Sequence, residues 1–389
     1  MIYADNAATT AVHPGVLAAM MPAFTECFAN PSSPHAAGRA AAQAERDARR
    51  TVARLLGCEP RELIFTASGS EADNQALRTA AAWGRAHGRA HIVSSAFEHP
   101  AILRTLDDLA REGFEVTLVA PTRAGIVEPD AVRAAVRPGE TCLVSVMTVN
   151  NEVGTVQPVA QIARIAHEAG ALAHTDAVQA VAHVPVDVAG MGVDMLSLSA
   201  HKFHGPKGIG ALVCRATALS EPLPVVPLVR GGGQERGRRA GTENVPGMVG
   251  MAQALSEAAE GFERDCAYVS GMRDRLIDGL TSIEGAHLMG DRTRRNPGTV
   301  NVCFEGVNRE ALLALLDEEG ICASAGSACE SGATSISPVL RAMGVPPEVA
   351  AGALRLSICA DNTPDEMELI IDRVRACVGR LRSVAREGL

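Results

Sequence analysis

The chain has 389 residues, room for roughly two to three domains at about 150 residues each, and its 47% apolar and 21% charged residues describe a folded globular protein rather than a disordered one. A net charge of −9 and an aromatic content of 3%, with Trp83 the sole tryptophan, argue against a nucleic-acid or anionic-membrane partner and leave few rings for stacking on bases. No apolar run reaches the ~18 residues of a membrane span, and the opening MIYADNAATT lacks the basic region of a secretory leader, so a cytoplasmic α/β enzyme is expected.

Along the chain, short β-rich runs alternate with helical patterns. The stretch 91–95 (HIVSS) reads as a strand, followed by a helix from Pro100 to about Glu112, and 114–120 (FEVTLVA) reads as the next strand. The β-branched run 143–149 (LVSVMTV) has the composition of a parallel strand buried on both faces. A helical period over 159–169 stops at Gly170, and strands follow at 171–175 and 195–198. Such alternation predicts a mostly parallel sheet covered by helices. Beyond Asn244 the pattern changes: a long Ala-rich helix over 248–277 leads into strands at 299–304, 320–323 and 354–358, with helices at 308–319, 337–343 and 364–381. A domain boundary is expected near residue 260.

Ligands of open α/β sheets sit beyond the carboxyl ends of the strands. Polar groups cluster there: His99 after the first strand, Asn150 and Asn151 after 143–149, Asp176 and Gln179 after 171–175, and Ser199, His201 and Lys202 after 195–198. In SLSAHKFHGPKGIGALV (197–213), Lys202 follows a strand and precedes a glycine-rich turn, a setting suited to Schiff-base formation with an aldehyde cofactor; Ser199 and His201 would hold a phosphate. Asp176 in HTDAVQA would either pair with a protonated pyridine nitrogen, with Gln179 near the ring hydroxyl, or cap a helix. TASGSEADN (66–74) places Gly69 and Ser70 at a helix start, where backbone amides hold an anion, although it also reads as an ordinary cap. His99 would stack on a flat ring and shuttle protons.

Ten cysteines contain no C-x-x-C pair, which gives no support to a structural zinc site. Cys329, in the Ser/Gly-rich SAGSACESGATS, has the surroundings of a mobile reactive thiol, whereas Cys322 reads as strand-buried. Arg355 would clamp a carboxylate. The arginines of RGGGQERGRRAGT (230–242) fit an ordered loop presenting Thr242 to a phosphate across a dimer interface better than a nucleic-acid reader.

Taken in order, YADNAATT, FANPSSPH, FTASGSEADN, EHPA, VNNEVGTVQP, HTDAVQA, SLSAHKFHGPKGIGAL, RGGGQERGRRAGTENV and SAGSACESG resemble the cysteine desulfurases of the NifS/IscS kind from about Ala4 to about Arg380. The resemblance implies the α/β aspartate-aminotransferase fold of pyridoxal 5'-phosphate enzymes. A large cofactor-binding domain would span 12–260, and a smaller α+β domain of 1–11 and 261–389 would carry the cysteine loop. It implies a homodimer that converts L-cysteine to L-alanine and passes sulfur to an acceptor such as an iron–sulfur scaffold protein.

Residue by residue, Lys202 matches the Schiff-base lysine, Asp176 the partner of the pyridinium nitrogen, and His99 the ring-stacking acid–base. Gln179 and Asn151 match groups near the ring oxygen and substrate. Gly69, Ser70, Ser199 and His201 match phosphate ligands, Thr242 the one lent by the other subunit, and Arg355 the substrate-carboxylate arginine. Cys329 matches the nucleophile that becomes a persulfide. A selenocysteine lyase would share the ring-binding residues without needing Cys329. The stretch 355–363 (RLSICADNT) departs from relatives in lacking a basic residue after its strand, and it leaves Cys359 without a role.

Overall fold

A computed structural model of the chain describes residues 1–215, 223–326 and 336–387. Its centre is a seven-stranded sheet in the order Leu63–Thr66, Gly210–Cys214, Met195–Ser199, Leu172–Asp176, Thr141–Ser145, His91–Ser95, Glu115–Val119. Neighbours from Met195–Ser199 to Glu115–Val119 are parallel, and only Gly210–Cys214 runs antiparallel to both of its neighbours.

Successive side chains in these strands point to opposite faces, and both faces are apolar. Ile64, Ile92, Leu143, Leu172, Met195 and Leu212 pack on one side under helices Gly69–Ala86 and Pro100–Arg111. Phe65, Val93, Val144, Ala173, Leu196 and Val213 pack on the other, against helices that include Ala36–Leu56 and Val159–Glu168. This two-sided burial explains why the strands read as continuous apolar runs.

A third, largely aliphatic cluster unites Ile2 and Ala4 with Leu276, Val300, Leu312, Leu356, Ile370 and Val374. It covers an antiparallel sheet in the order Ala353–Ser357, Thr299–Phe304, Ala286–Leu288, and the chain start joins it through the parallel pair Ile2–Tyr3 and Ile321–Cys322. Helix Val245–Thr281 gives Met248, Met251 and Leu255 to the cluster that holds Phe65, Val93 and Val144, and Val269, Met272 and Leu276 to the one that holds Ile2 and Ala4.

The strand expected at 143–149 is shorter, Thr141–Ser145. Beyond it the chain leaves regular pairing while staying buried: the Val146 amide still donates to His174 (3.2 Å) and the Thr148 amide to Asp176 (2.8 Å). That departure carries Met147 and Asn151 over the sheet edge into a cavity. Strands Leu63–Thr66 and Gly210–Cys214 and helices Pro14–Thr25 and Ala36–Leu56 are additions to the elements read from sequence. No helix among the described residues is long and apolar enough to cross a membrane.

Candidate active site

At the carboxyl ends of the parallel strands one cavity collects Gly69, Ser70, His99, Asn151, Asp176, Gln179, Ser199, His201, Lys202 and Arg355. These are the residues expected there, apart from Thr242 and Cys329. Thr242 is exposed and lies outside the cavity lining. Cys329 lies outside the described residues.

Gly69 and Ser70 open helix Gly69–Ala86. Ser68 Oγ accepts from the Glu71 amide (3.1 Å) while Glu71 accepts from the Ala67 amide (2.7 Å), a reciprocal cap that leaves the Gly69 and Ser70 amides for a ligand. The ordinary cap that the sequence also allowed is therefore present. Gly210 allows the close approach: a Cβ there would lie 2.4 Å from the Ser68 carbonyl carbon. His201 borders the same cavity, with Nδ1 3.1 Å from Thr9 Oγ1, and burial, reinforced by Lys202 and Lys207, pushes it down to about 4, so the ring is neutral at physiological pH.

Lys202 ends a short 3-10 turn after strand Met195–Ser199, and its Nζ donates to the carbonyls of Ala7 (2.6 Å) and Ala8 (2.8 Å). Gln179 Nε2 donates to the same Ala7 carbonyl at 2.9 Å. The chain start is thus a strap across the floor of the cavity, a role that YADNAATT does not display as sequence.

Asp176 closes strand Leu172–Asp176 and is followed by a turn rather than a helix, which removes the helix-cap reading. Its Oδ1 accepts from the Val178 amide (2.8 Å). Burial raises its pKa, while His99, the Val178 amide and Lys202 oppose the rise. Behind it stand two groups that the sequence reading missed. Asp73 is buried, and burial together with the Asp176 charge pushes its pKa well up. His174 Nε2 is 3.8 Å from Asp73 Oδ1, and burial takes this imidazole down to about 3, so it is neutral and bridges Ser145 (2.9 Å) and Ser197 (3.0 Å). Two buried carboxyls that repel each other do not both ionise in a dry site. A cation in the cavity would draw the charge onto Asp176. The available signal for Asp73 was its place four residues after Gly69, on the same helix face.

His99 caps helix Pro100–Arg111, with Nδ1 accepting from the Ala101 amide at 3.1 Å. In the neutral ring the proton therefore sits on Nε2. Arg355 is 1% exposed; Nη2 meets Asp5 Oδ1 at 2.7 Å and Nη1 donates to the Asn151 carbonyl at 3.0 Å. The expected carboxylate clamp thus already holds one carboxylate.

The 230–242 loop is anchored rather than open to a polyanion. Arg49 grips Glu235 (2.6 Å), Arg239 pairs with Glu71 (3.0 Å), and Glu235 and Arg236 adopt left-handed φ values of 47° and 59°.

Glu98, also unforeseen, is buried below Asn151. Its oxygens accept from the Met147 amide (3.0 and 3.1 Å) and from the Ser95 hydroxyl. Burial pushes its carboxyl from 4.5 up to about 8, with the Ser95 and Met147 hydrogen bonds opposing and Asp176 adding to the rise. The folded state therefore holds this proton longer than the unfolded chain. Its contribution to stability is complete below pH 4.5 and is lost as pH rises through about 8. Glu98→Gln is expected to flatten the fall of the urea midpoint of the cofactor-free protein between about pH 5 and pH 9 by an amount worth a few kcal/mol. An identical fall in both proteins would remove Glu98 as its origin.

Three residues of the cavity lining carry a buried polar atom without a hydrogen-bond partner: Asn151 Oδ1, Asp73 Oδ1 and Arg355 Nε. With the helix amides at one end and the Asp176–Asp73 pair at the other, the cavity fits a ligand that is anionic at one end and cationic at the other.

A family model described as "Aminotransferase class-V" matches residues 2–370. The chain is 45% identical over 384 residues to "Cysteine desulfurase IscS" of Methanosarcina thermophila, covering 99% of this chain and 93% of that protein. It belongs to the cysteine desulfurase family. Identity with a cysteine desulfurase of Cereibacter sphaeroides is 47% over 390 residues, covering 100% of this chain and 98% of that one. Among solved structures, a "NifS-like protein" superposes with a TM-score of 0.89 at 36% identity, covering 97% of this chain and 99% of that one. The cysteine desulfurases are pyridoxal-phosphate enzymes, and the fold expected from the sequence, an α/β transferase fold built on a mostly parallel sheet, is the fold of this chain.

Proposed function

We propose that this member of the cysteine desulfurase family binds pyridoxal 5'-phosphate and converts L-cysteine to L-alanine, passing the sulfur through Cys329 to an acceptor protein such as an iron–sulfur scaffold. The observation that carries the reading is the meeting of Lys202, Asp176, His99 and the Gly69–Ser70 amides in one cavity. The phosphate would rest on the Gly69 and Ser70 amides, Ser199 and His201, with Thr242 supplied by the second subunit of a homodimer. The exposure of Thr242 outside its own chain's cavity is in keeping with that assignment. We assign residues 12–260 to a cofactor-binding domain and residues 1–11 with 261–389 to a smaller one. The change of core along helix Val245–Thr281 supports this division. The site of action would be the cytoplasm.

Bound in this cavity, the cofactor supplies an electrophilic carbonyl and a sink for negative charge developed at the substrate α-carbon. Lys202 would hold its carbonyl end and, released from the Ala7 and Ala8 oxygens, would be the base that takes up and returns the α-proton. Asp176 would keep its charge against a protonated ring nitrogen, where burial would make the attraction strong. Gln179 and Asn151 would orient the ring oxygen and substrate, and His99 would cover the ring and offer its Nε2 proton. Arg355 receives the substrate carboxylate. Cys329 takes the substrate sulfur: L-cysteine and the Cys329 thiol become L-alanine and a Cys329 persulfide, the carbon–sulfur bond breaking as the sulfur–sulfur bond forms and the thiol proton passing to alanine.

Cys329→Ala is expected to lower alanine formation from L-cysteine by about 100-fold or more while cofactor absorption is retained. Alanine formation at a near-normal rate would reject transfer through Cys329 and favour a lyase that releases the chalcogen directly.

A further inference from the structure

The strap that crosses the cavity floor also carries a carboxylate to Arg355. Asp5 Oδ1 meets Arg355 Nη2 at 2.7 Å, and the Asp5 side chain is only 18% exposed. Paired backbone sets the two residues side by side. Asp5 forms a parallel bridge with Ser357, the Asn6 amide and Asn6 Nδ2 both donate to the Ser357 carbonyl (3.1 and 2.9 Å), and the Ser357 amide donates to the Ala4 carbonyl (2.6 Å). The Asp5 carbonyl accepts from the Ala8 amide at 3.0 Å. Arg355 lies opposite Asn301 in the antiparallel sheet, and its amide and carbonyl pair with Ser324 at 2.6 and 3.1 Å. Neither partner is a loose surface group.

A guanidinium offers its N–H donors in a rigid fork. In Arg355, Nη2 serves Asp5, Nη1 serves the Asn151 carbonyl at 3.0 Å, and Nε is buried without a hydrogen-bond partner. The Nε edge is what remains for a second carboxylate. Two carboxylates on one guanidinium stand about 5 Å apart, and in a site this dry their repulsion costs more than about a factor of ten in affinity. An arriving anion therefore meets an arginine whose charge is already balanced.

We infer, on the reading that Arg355 receives the substrate carboxylate, that Asp5 is a positioning residue: it fixes the guanidinium with its Nε edge free, and its charge keeps the grip on amino-acid carboxylates weak. L-Cysteine and L-alanine carry the same carboxylate. A tighter grip would stabilise the substrate and product complexes alike, which raises no catalytic rate and slows the departure of alanine. The strap thus serves both ends of the site, holding Lys202 through the Ala7 and Ala8 carbonyls and restraining Arg355 through Asp5.

The test titrates the holoenzyme with L-alanine, propionate and ethylamine by calorimetry. Propionate carries the carboxylate without the amine, and ethylamine the amine without the carboxylate. Asp5→Asn keeps the shape and an acceptor for Nη2 but removes the charge. It is expected to bind L-alanine and propionate at least about tenfold more tightly than wild type, with ethylamine unchanged within about twofold. Asp5→Glu restores the charge and is expected to bring both constants back toward wild type. Asp5→Ser, equally uncharged, is expected to tighten propionate binding as well and stands in should the asparagine variant fold poorly. L-Alanine and propionate binding that is unchanged or weaker in the uncharged variants would overturn the inference, as would an equal tightening of ethylamine. Arg355→Gln binding propionate as wild type does would overturn the carboxylate role of Arg355 itself and the inference with it, a result distinct from failure of the Asp5 variants alone.

Discussion

Lys202→Ala is expected to lower alanine formation from L-cysteine by about 10⁴-fold or more and to abolish the borohydride-sensitive absorption band at about 420 nm that the loaded wild type should carry. No other lysine lines the cavity among the described residues, so no neighbouring amine stands in. Loss of the ammonium removes a donor from the Ala7 and Ala8 carbonyls, yet the strap keeps other ties, among them Thr10 Oγ1 to the His201 carbonyl (3.0 Å), Gln179 to the Ala7 carbonyl (2.9 Å) and the Ala7 amide to Ser357 Oγ (2.8 Å). The melting temperature of the cofactor-free variant is therefore expected to stay within a few degrees of wild type. Partial recovery of activity by a small primary amine would show that chemistry, not folding, was lost. A variant that keeps both the band and the rate would refute the assignment of Lys202.

Asp176→Asn is expected to lower kcat by about 10²–10⁴-fold with phosphate binding left nearly intact. The Gly69 and Ser70 amides proposed to hold the phosphate lie on a different element and do not depend on this carboxylate. The amide keeps the size and the acceptor for the Val178 amide but carries no charge against a ring nitrogen. Asp73→Asn provides the contrast. It removes the neighbour whose carboxyl competes with Asp176 for charge, so Asp176 ionises more readily and kcat is expected to change by less than about tenfold. Steady-state kinetics on both variants decide the matter: a larger loss in the Asp73 variant would transfer the electrostatic role to that residue.

These expectations rest on residues of unequal visibility in the sequence. Lys202, Asp176 and His99 were legible because each sits just past a strand whose apolar run is easy to see, and strand ends are where α/β sheets place ligands. Gly69 and Ser70 were legible because a Ser/Gly turn ahead of a helical period is a local signature. Asp73 and Glu98 were not. A charged residue in an amphipathic helix, or next to a helix cap, normally faces water, and only the packing of Gly69–Ala86 and of the Met147 segment over them makes both dry. The same blindness affected the strand expected to run to Val149: β-branched composition continues past Ser145, whereas regular pairing ends there.

The amino-acid order by itself determined the parallel strands, most of the helices and strands that follow them, and the family, because periodicity and turn chemistry are properties of neighbours in the chain. Tertiary structure alone decided which distant groups share one small volume: Arg355 with Asp5, Lys202 with Ala7 and Ala8, and His174 with Asp73. Such partners are chosen by how elements stack and by what that stacking hides from water, and no local pattern records either.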